Sequence, residues 1–207
     1  MYKKIIAIVL VSFTFISAQS AGNSGLSFLK LGFGARNIAM GDAGTSSASD
    51  VTSLFYNPAR LSLNPANEIV VMHNEWIQGI RSELLGARTI FWGLPVAFGF
   101  NVTTISDIEI RNTAGPALSK FNANYFYGSM STGFNVFTGL SAGISVKYLY
   151  EGILTDEASG LGFDFGFNYK TTIEGLSFSA VVKNLGSMNE LRLEKTKLPT
   201  DIRAGGS

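Results

Sequence analysis

Few residues in this chain of 207 are equipped for covalent or metal chemistry. His73 is the only histidine and cysteine is absent, so a metal site or a nucleophile–base pair would have to be assembled around His73 alone. Its setting, Val71-Met72-His73-Asn74-Glu75, reads as a strand. A polar lumen or strand-end group is therefore favoured over a ligand. The carboxylate pairs Asp107/Glu109 and Asp156/Glu157 lie in polar joins without the Gly-spaced oxygen pattern of a calcium loop, and read as solvated loop charge. There is no Gly-rich dinucleotide motif, no Walker loop and no nucleophile elbow. The expectation is a non-enzymatic protein without cofactor or metal. The charges left over are Asp164, Lys147, Lys170, Lys183 and Arg88, within or at the ends of strands, and Arg36 in an irregular stretch upstream. Ion pairing is their natural chemistry. Arg36, Asp164 and Lys147 are expected to form a polar network, with Arg36 as partner of Asp164.

The elements that would position these groups are strands of period two. Leu94, Val96, Phe98, Phe100 and Val102 alternate with Pro95, Ala97, Gly99, Asn101 and Thr103. The same alternation runs through Leu140–Tyr150, Leu161–Lys170 and Leu176–Lys183, where Val181 is the exception. One face carries Phe, Leu, Val and Tyr; the other carries Gly, Ser, Ala and Asn. A soluble sheet would put Lys, Glu and Thr on its polar face. Small uncharged residues indicate a face approached closely by other chain. Alternation over roughly ten residues with one large apolar face is the signature of a transmembrane β-strand. Lys147, Asp164, Lys170 and Lys183 fall on the small face, which is then the lumen.

Charged residues make up 15% of the chain, against about 25% in soluble domains. The net charge of +1 offers no basic footprint for nucleic acid. Lys3 and Lys4, the apolar run Ile5–Ile16 and the small residues Ser17–Ala21 compose a secretory signal peptide. The domains expected are a signal peptide at 1–20, a Gly/Ala-rich plug segment with short helices at 21–66, and a partial barrel at 67–207. No segment has the ~18 consecutive apolar residues of a transmembrane helix, so membrane residence would require a barrel. Strands are expected near 68–78, 82–92, 95–105, 121–131, 139–150, 160–170 and 175–185, with an eighth opening at Leu198. Tight joins (Gly93-Leu94, 135–138, 171–174) alternate with long polar ones (106–120, 151–159, 186–200), as between periplasmic turns and external loops, and the short join 79–81 on the external side breaks the rule. Trp76, Trp92, Tyr125, Tyr127, Tyr148, Tyr150 and Tyr169 sit near strand ends, where an interfacial girdle belongs. An eight-stranded barrel is filled by its own side chains. Enclosing Leu26–Leu61 as well takes more strands, so the sequence reads as a fragment of a larger barrel.

Within the irregular stretch, Gly34-Ala35-Arg36-Asn37-Ile38-Ala39-Met40-Gly41-Asp42-Ala43-Gly44 is followed by Tyr56-Asn57-Pro58-Ala59-Arg60-Leu61 just before the first strand. This pattern resembles the PorV/PorQ family of FadL-like bacterial outer-membrane proteins, and Leu198-Pro199-Thr200-Asp201-Ile202-Arg203 resembles a recurring strand start there. Arg60 departs from it, standing where Gly is usual. The resemblance implies an all-β, antiparallel transmembrane β-barrel of about fourteen strands in the cell outer membrane, its lumen plugged by the N-terminal segment. It implies a plug motif of Gly34, Ala35, Arg36, Met40, Gly41, Gly44, Asn57, Pro58 and Ala59. It further implies a role in type IX protein secretion and surface attachment, with the lipid bilayer, secretion-system proteins and exported cargo as partners. The alternative it leaves open is a FadL-like channel for long-chain fatty acids or other hydrophobic small molecules.

Overall fold

The structure is a computed structural model and describes residues 24–207. The expected signal peptide lies outside the described residues. Five short helical turns come first: a 3-10 turn Ser27–Lys30, α1 Ala35–Ala39, α2 Gly44–Ser47, α3 Ser53–Tyr56 and a 3-10 turn Pro58–Leu63. The strands follow as β1 Glu68–Glu75, β2 Ile80–Phe91, β3 Leu94–Ile110, β4 Ser119–Phe137, β5 Leu140–Ile153, β6 Asp156–Lys170, β7 Ser177–Met188 and β10 Asp201–Gly206. These eight form one antiparallel sheet in the order of the chain, and β8 Glu190–Leu191 pairs with β9 Glu194–Lys195 as a separate small hairpin. The fold is all-β. Its sheet is open, with β1 and β10 as its edges. No helix among the described residues is long and apolar enough to cross a membrane.

The four strands whose alternation the sequence marks, β3, β5, β6 and β7, bury the small face. Along β3, Ala97, Gly99, Asn101 and Thr103 are buried while Phe98, Phe100 and Val102 stand exposed. On β6, Asp164 is 1% exposed and its neighbour but two, Phe167, is 53% exposed. A water-soluble sheet has the opposite polarity, with apolar side chains inside and charges out. The exposed apolar band runs from Ile69 and Val71 on β1 to Phe178 on β7 and Ile202 on β10. Along β3 it runs from Leu94 to Val102, about 26 Å at ~3.3 Å per residue.

What the buried face packs against is the N-terminal segment. The Gly34 N–H donates to Met72 Sδ of β1 at 3.2 Å, and the Phe33 N–H to the Tyr56 hydroxyl at 2.8 Å. Tyr56 donates to Asp42 Oδ1 at 2.6 Å, and Arg203 of β10 donates to Asp42 Oδ2 at 2.7 Å. This chain of contacts joins the first strand to the eighth. In a flat sheet they would stand roughly 34 Å apart at ~4.8 Å per strand, farther than the path can reach. The sheet therefore curls around the segment.

Two expectations need correction. The join 151–159 is not a long loop: β5 and β6 continue through it, Glu151 paired with Ala158 and Ile153 with Asp156, and only Leu154-Thr155 turn. The join 106–120 likewise shrinks to 111–118 as β3 and β4 lengthen across a bulge between Ile105 and Ile108. Polar residues read as loop because they stop the alternation, yet they satisfy the ladder as well as any other residue. Tyr125 and Tyr127 are not girdle residues either. They share the inward face of β4 with Ala123 and Ser129, and Tyr127 is buried.

Candidate functional site

The site is the seat of the N-terminal segment. Asp50 shapes the turn that precedes α3, its carboxylate accepting the Thr52 N–H at 2.9 Å, while Thr52, the residue that flanks the helix, makes no side-chain cap. Asn57 ends α3 in extended backbone (φ −153°) and immediately caps the next turn, its side-chain oxygen accepting the Ala59 N–H at 3.1 Å with Pro58 at the first position. Its amide nitrogen donates to the Phe167 carbonyl of β6 at 3.1 Å and to the Thr45 carbonyl at 3.3 Å. Asn57 thus holds two turns of the segment and one strand of the sheet together.

Beneath Asn57-Pro58-Ala59 lies a row of three glycines. Gly133 pairs with Gly143, and Gly143 with Gly166, across β4, β5 and β6. A Cβ on Gly143 would overlap the Ala59 nitrogen and the Pro58 carbonyl carbon; one on Gly133 would lie 2.6 Å from the Pro58 oxygen; one on Gly166 would overlap the Asn57 side-chain oxygen. The trench therefore admits the turn's backbone only because no side chain is present. A second glycine pair, Gly86 with Gly99 on β2 and β3, lies under Leu54 and Phe55, where a Gly99 Cβ would come within 2.6 Å of Leu54 Cδ1. Aromatic contacts complete this half: Phe33 on Phe55 with centroids 4.6 Å apart, and Phe28 on Tyr125 at 5.3 Å.

The polar half is built on a bulge. Phe163 pairs with Leu185 and Phe165 with Val182, so Asp164 alone faces Lys183 and Asn184, the latter at φ +58°. That geometry turns the Asn184 N–H onto Asp164 Oδ1 at 2.8 Å, while Lys147 Nζ sits 2.6 Å from Asp164 Oδ2 and 2.9 Å from the Asn184 side-chain oxygen. Lys183 Nζ donates instead to the Phe55 carbonyl at 2.7 Å, at the C-terminal end of α3. Both lysines and Asp164 are buried. Breaking a pair so placed costs about 3–5 kcal/mol, because an uncompensated charge remains. Both Asp164 oxygens are engaged, so the group is structural in its chemistry.

Of the expected network, Lys147 and Asp164 meet and Arg36 does not join them. Arg36 is exposed on α1, along with Ala35 and Met40, while Asp164 is enclosed by Lys147 and Asn184. The signs run the other way at the rim: the segment supplies the acid, Asp42, and the wall supplies the base, Arg203. Glu68 of β1 accepts the Val51 N–H at 2.6 Å and lies 2.9 Å from Arg88 Nη2. The remaining motif residues divide by role. Gly34 and Gly41 carry positive φ, and Gly44 lies flat on the Tyr56 ring, where a Cβ would come within 2.6 Å of it. Lys170 is exposed at the strand end, away from the interior. His73 stands on the outer face of β1 with Nδ1 2.6 Å from Glu83. The carboxylates expected in polar joins lie in strands instead, Asp107 of β3 paired with Lys120 and Asp156 of β6 with Arg192.

Arg60 is a lock. Its Nε donates to the Ala48 carbonyl at 2.6 Å and its Nη1 to Asn168 of β6 at 2.8 Å. Burial lowers the pKa of its guanidinium. Burial, then the hydrogen bond to Asp42, raises that of the Tyr56 phenol, which is held neutral. Asp42, Tyr56 and Arg203 fall within the segments that carry the resemblance, but the contacts among them were not foreseen, and the glycine trench lies outside those segments. The available signal was glycine at the inward parity of three successive strands. Comparison with known proteins adds no relative: no family model, no curated protein and no solved structure matches the chain.

Proposed function

We propose that this chain is wall and plug of an outer-membrane β-barrel of the PorV/PorQ type, a non-enzymatic protein serving type IX secretion and surface attachment. The observation that carries the membrane part is the inverted sheet. Phe, Leu, Val and Tyr face outward in a continuous band, and Asp164, Lys147 and Lys183 face inward. Soluble monomers rarely expose apolar patches beyond a few hundred Å². A band about 26 Å long on strands tilted by ~40° stands about 20 Å high, comparable with the ~25 Å apolar belt of outer-membrane barrels. The open edges favour a larger closed barrel, of about fourteen strands by the family resemblance, since unpaired edge groups on β1 and β10 are not tolerated in hydrocarbon. The secretion role rests on the resemblance of the Gly34–Gly44 and Tyr56–Leu61 segments; the hydrogen-bonded, glycine-fitted plug favours it over a channel for hydrophobic small molecules.

The test is fractionation of cells producing the protein from its natural reading frame, followed by electrophoresis of heated and unheated samples. A folded barrel enters the outer-membrane fraction and changes mobility on heating. Co-isolation with export-machinery proteins supports the secretion role. Recovery in the soluble fraction overturns the membrane reading, and loss of growth on long-chain fatty acids after deletion would select the channel.

A further inference from the structure

We propose that Lys147 and Asn184 react to form an isopeptide bond, with Asp164 as the acid–base catalyst, so that β5 and β7 become crosslinked across β6. The bond is made once, within the chain, and does not depend on what meets the outer face of the sheet. The three reacting groups are sealed from water: Lys147 is 5% exposed, Asp164 1% and Asn184 1%. Leu149 and Leu198 gather over Gly162, the register partner of Lys147, and keep the surroundings apolar. The bulge in β7 turns Asn184 inward, and its amide is held at both ends. Its Oδ1 lies 2.9 Å from Lys147 Nζ, and its Nδ2 donates to the Pro199 carbonyl at 3.1 Å. At that Nζ–Oδ1 distance and an angle of ~120° at the oxygen, Nζ stands about 3.7 Å from Asn184 Cγ. A near-attack geometry is ~3–3.5 Å, so a small closure completes it. An ion pair alone would need only Lys147 and Asp164. Asn184 adds an electrophilic carbon beside the amine, and its own backbone N–H holds Asp164 Oδ1 at 2.8 Å, which keeps the acid at the amide.

The chemistry follows from this placement. A dry interior penalises an ammonium beside a carboxylate, so Asp164, 2.6 Å away, takes one proton and leaves Nζ as a nucleophilic amine. Nζ attacks Cγ, and the Nζ–Cγ bond forms. The Cγ–Nδ2 bond breaks, and Nδ2 leaves as ammonia. Of the two protons that Nζ gives up, ammonia carries one away and Asp164 keeps the other. The step balances without a further reactant. Its driving advantage is proximity, since well-oriented intramolecular reactions reach effective molarities of about 10⁵–10⁸ M.

Mass spectrometry of the full-length protein, produced in cells and purified, tests the bond. The intact mass is expected to be that of the mature chain less one ammonia. Trypsin should leave Lys147 uncut and yield a branched peptide in which residues 121–170 are joined to 184–192. Asn184→Ala removes the electrophile and Asp164→Asn the acid, so in both variants the branched peptide should be lost and Lys147 cut. A wild-type chain of full mass would overturn the proposal. So would a chain that loses ammonia while trypsin still cuts after Lys147, because the ammonia then comes from another residue. The wild-type chain decides even if neither variant folds.

Discussion

Adding one methyl group to Gly143 should unseat the segment without touching the outer wall. The methyl would overlap backbone atoms of Pro58 and Ala59, which cannot rotate away as a side-chain tip would. Overpacking of this kind costs about 1–3 kcal/mol. Relief by lifting the turn would break the Asn57–Phe167 hydrogen bond and the Arg60–Asn168 hydrogen bond. Those are worth about 0.5–1.5 and 1.5–3 kcal/mol, the second being to a charged group. Lifting therefore costs at least as much as the strain it relieves, and the expected loss for Gly143→Ala is the overpacking cost, about 1–3 kcal/mol or roughly 5- to 150-fold in the seated-to-unseated ratio. Gly128→Ala is the control: it lies on the outer face of β4, where a Cβ meets Phe126 and Phe100 at 3.5 and 3.6 Å, ordinary contact distances. Trypsin reads the difference, because Arg60 is buried in the seat and becomes cleavable only when the turn lifts. With opening fast relative to cleavage, the rate at Arg60 should rise in proportion to the unseated population. Equal cleavage of Gly143→Ala and Gly128→Ala in detergent-purified protein would refute the close-fit argument.

Replacing Asp164 by Asn leaves Lys147 and Lys183 buried without a carboxylate and should cost about 3–5 kcal/mol in denaturant unfolding; Lys147→Met combined with Asp164→Leu should recover most of that. Tyr56→Phe removes one acceptor for the Phe33 N–H and one donor to Asp42, for an expected loss of about 1–3 kcal/mol. The Tyr56 phenol pKa is raised above its ordinary 10.0, so its share of stability is whole below that pH and is lost as pH climbs toward the raised value. Wild-type seating should weaken in that alkaline window, read by trypsin cleavage at Arg60, and Tyr56→Phe should lack this limb of the curve. Met130→Arg on the outer face should cost about 2–4 kcal/mol for folding into lipid bilayers, measured by equilibrium unfolding from vesicles.

The strands and their inward faces were legible because period two is a local property: Asn101, Lys147 and Asp164 could be assigned to the small face from their neighbours alone. Register was not legible. That Gly133, Gly143 and Gly166 line up, or that Asp164 faces a bulge containing Asn184, depends on pairings between strands and on an extra residue in β7. Arg36 was matched with Asp164 because their charges are opposite, but α1 turns outward where Gly34 redirects the chain, and Lys147 on the neighbouring strand lies nearer. The polar joins misled for a related reason: 151–159 lacks apolar alternation, yet its backbone pairs as completely as that of the apolar strands.

The central claim is that the apolar face meets lipid and the small face meets the plug. Single nitroxide labels placed at positions from Val96 to Thr103 on β3 other than Gly99, where a Cβ would already meet Leu54, in protein reconstituted into bilayers, test it most directly. The account predicts a period of two: Val96, Phe98, Phe100 and Val102 accessible to oxygen dissolved in the bilayer, and Ala97, Asn101 and Thr103 shielded from both oxygen and a water-soluble nickel reagent. Collision of the nickel reagent with labels at 98, 100 and 102 would place that face in water and contradict the account.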